Sequence, residues 1–389
     1  MRVLHVIYSV QASTGGPAQA LRDLVPWLGK VGLHCQVACC QDDAKSPGQP
    51  GGESPAETIE GRRGGSWMPL SARGNQQIAR LVAQADLVHV HGIWEPLLFT
   101  ACRAARAAGK PVVCSPHGML APWSMSRHRL RKWPYLCLFT RPMLRNVAAM
   151  QFMTHAELEL SRPYLRPAVN SFVVPIILSK EFYEDMPPTG TAEAIFPQIP
   201  TDGLWVLFLA RLHPVKNLPT LAEAFARTLR TFPRAQLVIV GGGDPGYEQQ
   251  MRRMVLSLGI AGNTHFLGMV QGAAKVALYR RAAILAVPSS QENFGLVFAE
   301  SLACETPVLL TPQVNLHQEI MQAGAGFLVE AEPGAVAGGL LDALSDEPKR
   351  RAAGRAGRQW VLEYLDPEKV ATKLRSHYEE ILRGVKVRT

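Results

Sequence analysis

Short apolar runs alternate with amphipathic stretches along this chain, and after a proline-rich interruption the alternation begins again. In the N-terminal half the runs cover residues 3–8, 35–39, 87–91 and 111–115, with helical composition over 17–28 and 97–108. In the C-terminal half they cover 205–209, 235–240, 264–267, 284–287 and 307–310, with a helical pattern over 218–231. Runs this short and this continuous suit strands buried on both faces, and such strands need helices above and below a parallel sheet. The chain's 389 residues exceed what one hydrophobic core usually holds. The pattern therefore predicts an α/β protein of two Rossmann-like, doubly wound parallel-sheet domains facing a cleft. We place the first domain at 1–185, a linker at 186–203 in the segment holding Pro187, Pro188, Pro197 and Pro200, and the second domain at 204–367. Residues 42–66, rich in Gly, Pro, Ser and charge, read as a loop.

The formal net charge is +9. Much of that excess sits between Glu95 and Glu157, an interval without a single acid that carries Arg103, Arg106, Lys110, Arg127, Arg129, Arg131, Lys132, Arg141 and Arg145. A basic surface attracts phosphorylated substrates, anionic lipid or nucleic acid. Bases stacked on interleaved aromatics are the mark of a nucleic-acid site, and we do not read that arrangement here, so nucleic acid is not an expected partner. Residues 127–139 instead mix cations with Trp133, Tyr135, Leu136, Leu138 and Phe139. That mixture suits an amphipathic helix on an anionic membrane surface, although an interior helix with solvated cations would read the same way. No apolar run approaches the roughly 18 residues of a membrane span, and the first residues read as a strand. The seven cysteines sit mostly in apolar surroundings without metal-like pairing. The expected location is the cytoplasm, peripherally on the inner face of a membrane.

Ligands of open α/β sheets bind beyond the carboxyl ends of the strands, so the residues there carry the functional reading. Gly15 and Gly16 precede Pro17 after the first strand. His91 and His117 end two later strands, each followed by Gly. His89 and His91 share one strand face, so a metal pair is conceivable, but no Cys or carboxylate stands at a ligand-like spacing and no metal site is expected. In the second half Arg211 and Lys216 follow a strand and precede a helix, as a diphosphate clamp would. Gly241 and Gly242 open a three-glycine turn. After the run at 284–287 come Glu292, Phe294, Gly295, Leu296 and Glu300, with the second carboxylate eight residues past the first (300 − 292). Two carboxylates then bracket a strand-to-helix turn whose free amides suit an anion. Taken singly, each feature is also what a plain loop or a solvated helix start would show.

Together these elements resemble the retaining glycosyltransferases of the GT-B fold, in the large family with the Glu-x7-Glu motif. The resemblance spans nearly the whole chain: Gly15-Gly16, His117-Gly118-Met119-Leu120 with Trp123, Arg211 and Lys216, Val240 to Gly243, Phe266 to Gly268, and Glu292 with Glu300. It implies that Glu292 holds donor-sugar hydroxyls and that Glu300 binds the ribose. Arg211 and Lys216 would bind the diphosphate, and the backbone at Asn293, Phe294 and Gly295 would contact sugar and phosphate. His117 would meet the donor sugar, and Gly16 would lie under the phosphate near the acceptor. It also implies an N-terminal acceptor-binding domain, a C-terminal nucleotide-sugar domain, and a last helix within 368–389 that returns to the first domain. The sequence departs from the family pattern at Ala210 and Glu305, where glycines are usual, and at Ile176-Ile177, where Asn-Gly is common.

The resemblance implies a hexosyltransferase-like, metal-independent enzyme that needs no cofactor beyond its UDP- or GDP-sugar substrate. The acceptor would be a lipid-linked or saccharide hydroxyl, in polysaccharide or glycolipid biosynthesis. Two readings of the same fold stand beside it: a sugar-nucleotide epimerase, which acts without an acceptor, and a noncatalytic sugar-nucleotide-binding subunit, which has no use for His117.

Overall fold

The computed structural model describes residues 1–11, 16–40, 56–59, 69–127, 129–166, 169–178 and 182–385. The chain forms two compact units, Met1–Ile177 with Leu365–Thr389, and Leu178–Tyr364. Each is built on one parallel sheet with helices on both faces, the α/β class expected.

The first unit holds seven strands: β1 (Arg2–Ile7), β2 (His34–Cys40), β3 (Ala56–Ile59), β4 (Leu87–His91), β5 (Val112–Ser115), β6 (Ala149–Phe152) and β7 (Ser171–Val173). Their order in the sheet is β3-β2-β1-β4-β5-β6-β7. Strand side chains alternate between faces, and the cores follow that period. Leu4, Val6, Val88 and Val90 pack with Ile78, Leu81, Leu98 and Ala101 of helices Ala72–Gln84 and Pro96–Ala107. Val3, Leu87, Val113 and Phe172 face the other way, against Leu28 of helix Gly16–Lys30 and Leu374 and Tyr378 of helix Pro367–Leu382. The last helix thus belongs to the first unit's core. Parallel pairing sets His5 of β1 opposite His89 of β4, and Ile7 opposite His91. The histidines lie on the face that the C-terminal helix covers.

The second unit holds β8 (Trp205–Leu209), β9 (Gln236–Val240), β10 (Thr264–Gly268), β11 (Ile284–Ala286), β12 (Val308–Leu310) and β13 (Gly326–Leu328), ordered β10-β9-β8-β11-β12-β13. Its central strands β8 and β9 are buried throughout.

Several elements differ from the sequence reading. β3 lies within the stretch read as a loop and pairs parallel with β2 at the sheet edge, while residues 41–55 and 60–68 lie outside the described residues. Four residues set among Gly and Pro give no period to read. β6, β7 and β13 were not assigned either; Gln151, Ser171 and Gly326 leave them no continuous apolar run. Residues 186–203, read as a linker, are part of the second unit: helix Thr191–Ile195 forms there, Ile199 is fully buried, and Glu193 pairs with Arg281 at 2.5 Å. The unit boundary falls at Ile177 because the chain beyond it is tied down, with Cys304 Sγ donating to Phe182 O at 3.8 Å and Arg358 Nη2 to Tyr183 O at 3.3 Å.

The amphipathic helix expected over 127–139 is helix Arg129–Tyr135, which runs through a π-helical turn at Leu136–Thr140 into Arg141–Arg145. Pro142 has no N–H for Leu138, and the Arg141 amide reaches back five residues to Leu136 O, so the turn widens there.

Candidate active site

In the second unit the loop after β8 is locked before it reaches the next helix. The Leu212 amide donates to Gly242 O at 2.9 Å, and the His213 ring accepts from the Val215 amide at 3.2 Å, capping the short 3-10 turn Pro214–Lys216. Asn217, at φ 56°, then starts helix Leu218–Thr228. The loop after β11 runs alongside: the Ser290 amide donates to Val215 O at 2.8 Å, the Glu292 amide to Gln313 O at 3.0 Å, and the Asn315 amide to Glu292 O at 3.0 Å. These bonds set the Glu292 carboxylate against the Lys216 ammonium as an ion pair through Oε2, with the two side chains only 19% and 12% exposed. A partly desolvated pair of this kind keeps its charge and fixes two side chains that point to one place.

Three residues on, Gly295 takes φ 77° as the N-cap of helix Leu296–Ala303. A Cβ there would lie 2.5 Å from the Phe298 ring, so the position requires glycine. It caps the helix without a side-chain acceptor, leaving first-turn amides for an anion. One turn further Glu300 is 7% exposed. Its Oε2 takes the Tyr279 hydroxyl and the Lys275 ammonium, each at 2.7 Å. Oε1 has no partner among the described residues. Burial and the neighbouring Glu300 carboxylate push the Tyr279 phenol well above its usual range, which keeps it a donor.

The glycines after β9 do something other than open space. A Cβ on Gly241, at φ 136°, would stand 1.9 Å from Ala210 O, and one on Gly243 2.1 Å from Leu212 O. They let the strand exits of β8 and β9 lie backbone to backbone. A Cβ on Gly242 would lie 3.2 Å from the Met269 side chain. Ala210 is buried and keeps an ordinary negative φ, so the missing glycine there costs nothing, while Glu305 adopts the φ of 61° that a glycine would take.

In the first unit the polar residues at the strand ends form a connected array. His117 Nε2 lies 3.1 Å from His91 Nδ1, and His91 Nε2 lies 3.0 Å from His5 Nδ1. His89 Nδ1 is 2.5 Å from the Tyr378 hydroxyl, and His89 Nε2 is 2.7 Å from Ser115 Oγ. Ser115 donates to Gln151 Oε1 at 3.1 Å, and Gln151 Nε2 donates to Val174 O at 3.1 Å. Among the described residues His5, His89 and His91 are also a group whose nitrogens lie within 4.8 Å of one another. The His89 and His91 rings stack at 4.3 Å, so their in-plane lone pairs run side by side instead of converging. Burial lowers the His117 imidazole to about 4 and that of His5 to about 3, and it holds His89 and His91 well below their usual range. All four are neutral at pH 7.

His117 itself sits at φ 51° before Gly118 at φ 76°. That turn is pinned by Glu157, a residue 1% exposed, whose Oε1 accepts from the Gly118 amide at 2.5 Å and whose Oε2 accepts from the Met153 amide at 2.8 Å. The signal was in the sequence: Thr154-His155-Ala156-Glu157 is a capping box, and Thr154 Oγ1 accepts from the Glu157 amide at 3.0 Å.

Comparison with known proteins places the chain in a family. The family described as Glycosyl transferases group 1 matches residues 192–360, and the Glycosyl transferase 4-like domain matches 15–176. The chain belongs to the group 1 glycosyltransferases. It is 29% identical over 323 residues to a GDP-mannose-dependent alpha-(1-6)-phosphatidylinositol monomannoside mannosyltransferase of Mycobacterium tuberculosis, covering 79% of each chain. It is 32% identical over 194 residues to a D-inositol 3-phosphate glycosyltransferase of Acidothermus cellulolyticus, covering 48% of this chain and 41% of that one. The solved structure of Anabaena HepE in complex with UDP shares the fold, with TM-score 0.82 at 18% identity over 98% of this chain and all of that one. Sucrose-phosphate synthase from Thermosynechococcus elongatus does so with TM-score 0.78 at 20% identity over 99% of this chain and all of that one. The two-domain Rossmann-like GT-B architecture follows.

Within this glycosyltransferase, the structure brings Lys216 to Glu292 and puts Phe294, Gly295 and Leu296 at the helix start below them. Arg211 is exposed and has no ion pair among the described residues. Phe294 is 5% exposed, so its ring is buried in the protein. Gly15 lies outside the described residues, and Gly16, exposed, begins helix Gly16–Lys30. Sequence reasoning missed Lys275, Tyr279, Glu157 and His5. The first two sit on helix Gly272–Arg281 and give no sign in sequence of which carboxylate they meet.

Proposed function

We propose that this enzyme moves a sugar from a UDP- or GDP-sugar to a hydroxyl of a lipid-linked or saccharide acceptor, with retained anomeric configuration and without a metal ion, in polysaccharide or glycolipid biosynthesis. The observation that carries the reading is the pair Glu292 and Glu300 framing an uncapped helix start, with Lys216 on the first and Lys275 with Tyr279 on the second. Glu300 has one oxygen committed to protein donors and one to offer a ribose hydroxyl. Glu292 offers its second oxygen to sugar hydroxyls and stabilises positive charge developing on the sugar ring. Arg211, Lys216 and the first-turn amides of helix Leu296–Ala303 balance the charge of the leaving diphosphate. The acceptor hydroxyl attacks the face the nucleotide leaves, and the departing phosphate oxygen takes its proton, so no protein nucleophile is required. Relatives named for GDP-mannose-dependent transfer to a phosphatidylinositol mannoside, and fold neighbours solved with UDP and UDP-glucose, support this choice of donor and acceptor classes.

A membrane-bound acceptor fits the surface around helix Arg129–Tyr135. Leu130 is 93% exposed, Leu138 67% and Trp133 50%, and Arg127 and Arg141 lie over the Trp123 and Trp133 rings at 4.9 and 5.4 Å. His128 and the side chains of Arg129 and Arg131 lie outside the described residues. Among the described residues no helix is long and apolar enough to cross a membrane. Cations near anionic lipid contribute about 1 kcal/mol each. In this proposal that surface holds the enzyme at the inner membrane face, on the cytoplasmic side.

Two experiments test the proposal. Calorimetry with a panel of UDP- and GDP-sugars, followed by acceptor-free hydrolysis and product stereochemistry by NMR, should give one preferred donor, retained configuration and activity in EDTA; inversion or an EDTA-sensitive rate removes the mechanism. Co-sedimentation should show binding to anionic vesicles that fades with salt. A protein that stays in the supernatant at low salt leaves a soluble saccharide as the acceptor.

A further inference from the structure

The chain His5–His91–His117 leaves two nitrogens over. His117 Nδ1 and His5 Nε2 are buried and have no hydrogen-bond partner. His117 lines a pocket with Leu21, Leu24, Ser115, Gln151 and Pro175, whereas His5 is 0% exposed in the middle of β1. His89 stands outside this chain, because both its nitrogens are taken. Gln151 donates to Val174 O, so its Oε1 must accept from Ser115; Ser115 Oγ must then accept from His89 Nε2–H, and His89 Nδ1 accepts from Tyr378.

Each neutral imidazole has one N–H, so the three-ring chain has two self-consistent states. In one, His117 Nε2–H donates to His91 Nδ1 and His91 Nε2–H donates to His5 Nδ1. The unpaired donor is then His5 Nε2–H, deep in the core, and His117 Nδ1 is left as a bare acceptor. In the other, His5 Nδ1–H donates to His91 Nε2 and His91 Nδ1–H donates to His117 Nε2. The unpaired donor is then His117 Nδ1–H, on the ring that lines the pocket. Both spare nitrogens are buried, so either state strands one N–H; only His117 lines a pocket that water or a ligand oxygen can enter, so the second state is the one whose spare proton can find an acceptor, and it leaves only a lone pair at His5.

We propose that the buried pair His5 and His91 holds His117 in its Nδ1–H tautomer, so that His117 meets its ligand as a hydrogen-bond donor to a sugar oxygen, and that His5 and His91 are positioning residues for the transfer. The step is hydrogen bonding alone; no bond forms or breaks and no proton leaves the chain. The assignment of a sugar oxygen rests on the proposed role of His117 in sugar transfer, but the tautomer does not.

The test is a long-range 1H–15N correlation spectrum of the full-length protein labelled with 15N-histidine, at pH 7.5, with signals assigned by the His5→Asn, His91→Gln and His117→Gln variants. The expected result is Nδ1–H for His5, His91 and His117 and Nε2–H for His89, with or without donor. Nε2–H or doubly protonated His117 overturns the proposal even in a protein with no detectable transfer. The second arm compares His5→Asn, which keeps an N–H where His5 Nδ1 stands, with His5→Leu, which removes it. His5→Leu should raise the Nε2–H population of His117 and lower kcat about 3- to 10-fold, the size of one net hydrogen bond, while His5→Asn keeps both near wild type. Equal kcat in the two variants, with His117 unshifted in both, removes the positioning role. If no nucleotide sugar supports turnover, the functional reading fails separately from the tautomer.

Discussion

At the strand ends of the second unit, Glu292 lies on Lys216 and Glu300 on Lys275 and Tyr279, so charge is kept and paired. At those of the first unit, His117, His91 and His5 bond to each other as neutral rings, and Glu157 is the buried carboxylate that pins their turn. Both arrangements place polar groups beside buried strands, where an unpaired charge would be prohibitive. The second unit offers fixed charge to a ligand whose own charge grows during reaction. The first offers a fixed hydrogen-bonding pattern that carries no charge. The neutral imidazoles begin to fail as soon as the unfolded chain can take protons.

The comparison is broken most forcefully by removing charge from the second unit. Glu292→Gln should lower turnover of the preferred nucleotide sugar about 10²- to 10³-fold, the usual loss for one electrostatic contact to developing charge, with free nucleoside diphosphate binding nearly unchanged in calorimetry. A loss below tenfold, beside a larger one for His117→Phe, would shift the weight of the chemistry to the first unit.

Acid should separate the units next. The folded pKa values of His117 and His5, about 4 and about 3, lie below the 6.5 of an unfolded histidine, so the unfolded state binds more protons in between. The stability these rings supply is complete above pH 6.5 and is lost as pH falls towards 4 and then 3, on the order of 3 kcal/mol for His117 alone. Amide exchange at pH 7 and at pH 5 should show protection falling first in β4 and β5 and later in β11 and β12. Simultaneous loss would mean that the histidines do not set the acid limit of the first unit.

Lys275→Met probes whether pairing is what lets Glu300 stay buried. Leaving that carboxylate with Tyr279 alone should cost about 3 kcal/mol in denaturant unfolding, against about 1 kcal/mol for Tyr279→Phe. Equal effects would mean that the hydroxyl and not the ammonium carries the site. The smallest expected change is Glu305→Gly. Its φ of 61° is strained for a side chain, and the contact to Arg358 at 3.7 Å is long and half exposed. The variant should gain stability, by under about 1 kcal/mol, since relief of left-handed strain is largely offset by glycine's unfolded-state entropy. A clear loss would show that the Arg358 pair outweighs the strain.

Much of this was legible beforehand for a local reason. The strands at 205–209 and 284–287 are apolar without alternation, and that alone requires a sheet covered on both faces. The spacing of Glu292 and Glu300 across Gly295 is likewise local, as is the helix start it predicts. β3 was hidden because it is a short edge strand set among Gly and Pro, and β6, β7 and β13 because Gln151, Ser171 and Gly326 leave them no continuous apolar run.

The sequence by itself determined the two parallel sheets and the turn that carries the two glutamates, because strand burial and helix capping are read over a few neighbouring residues. Only the tertiary structure decided the partners. Lys216 reaches Glu292 across 76 positions of sequence, Tyr378 reaches His89 across 289, and the glycines at 241 and 243 serve a neighbouring strand exit. Those contacts depend on which strands lie side by side and in what register. A side chain's charge state and tautomer follow from its neighbours in space, and the chain order does not name them.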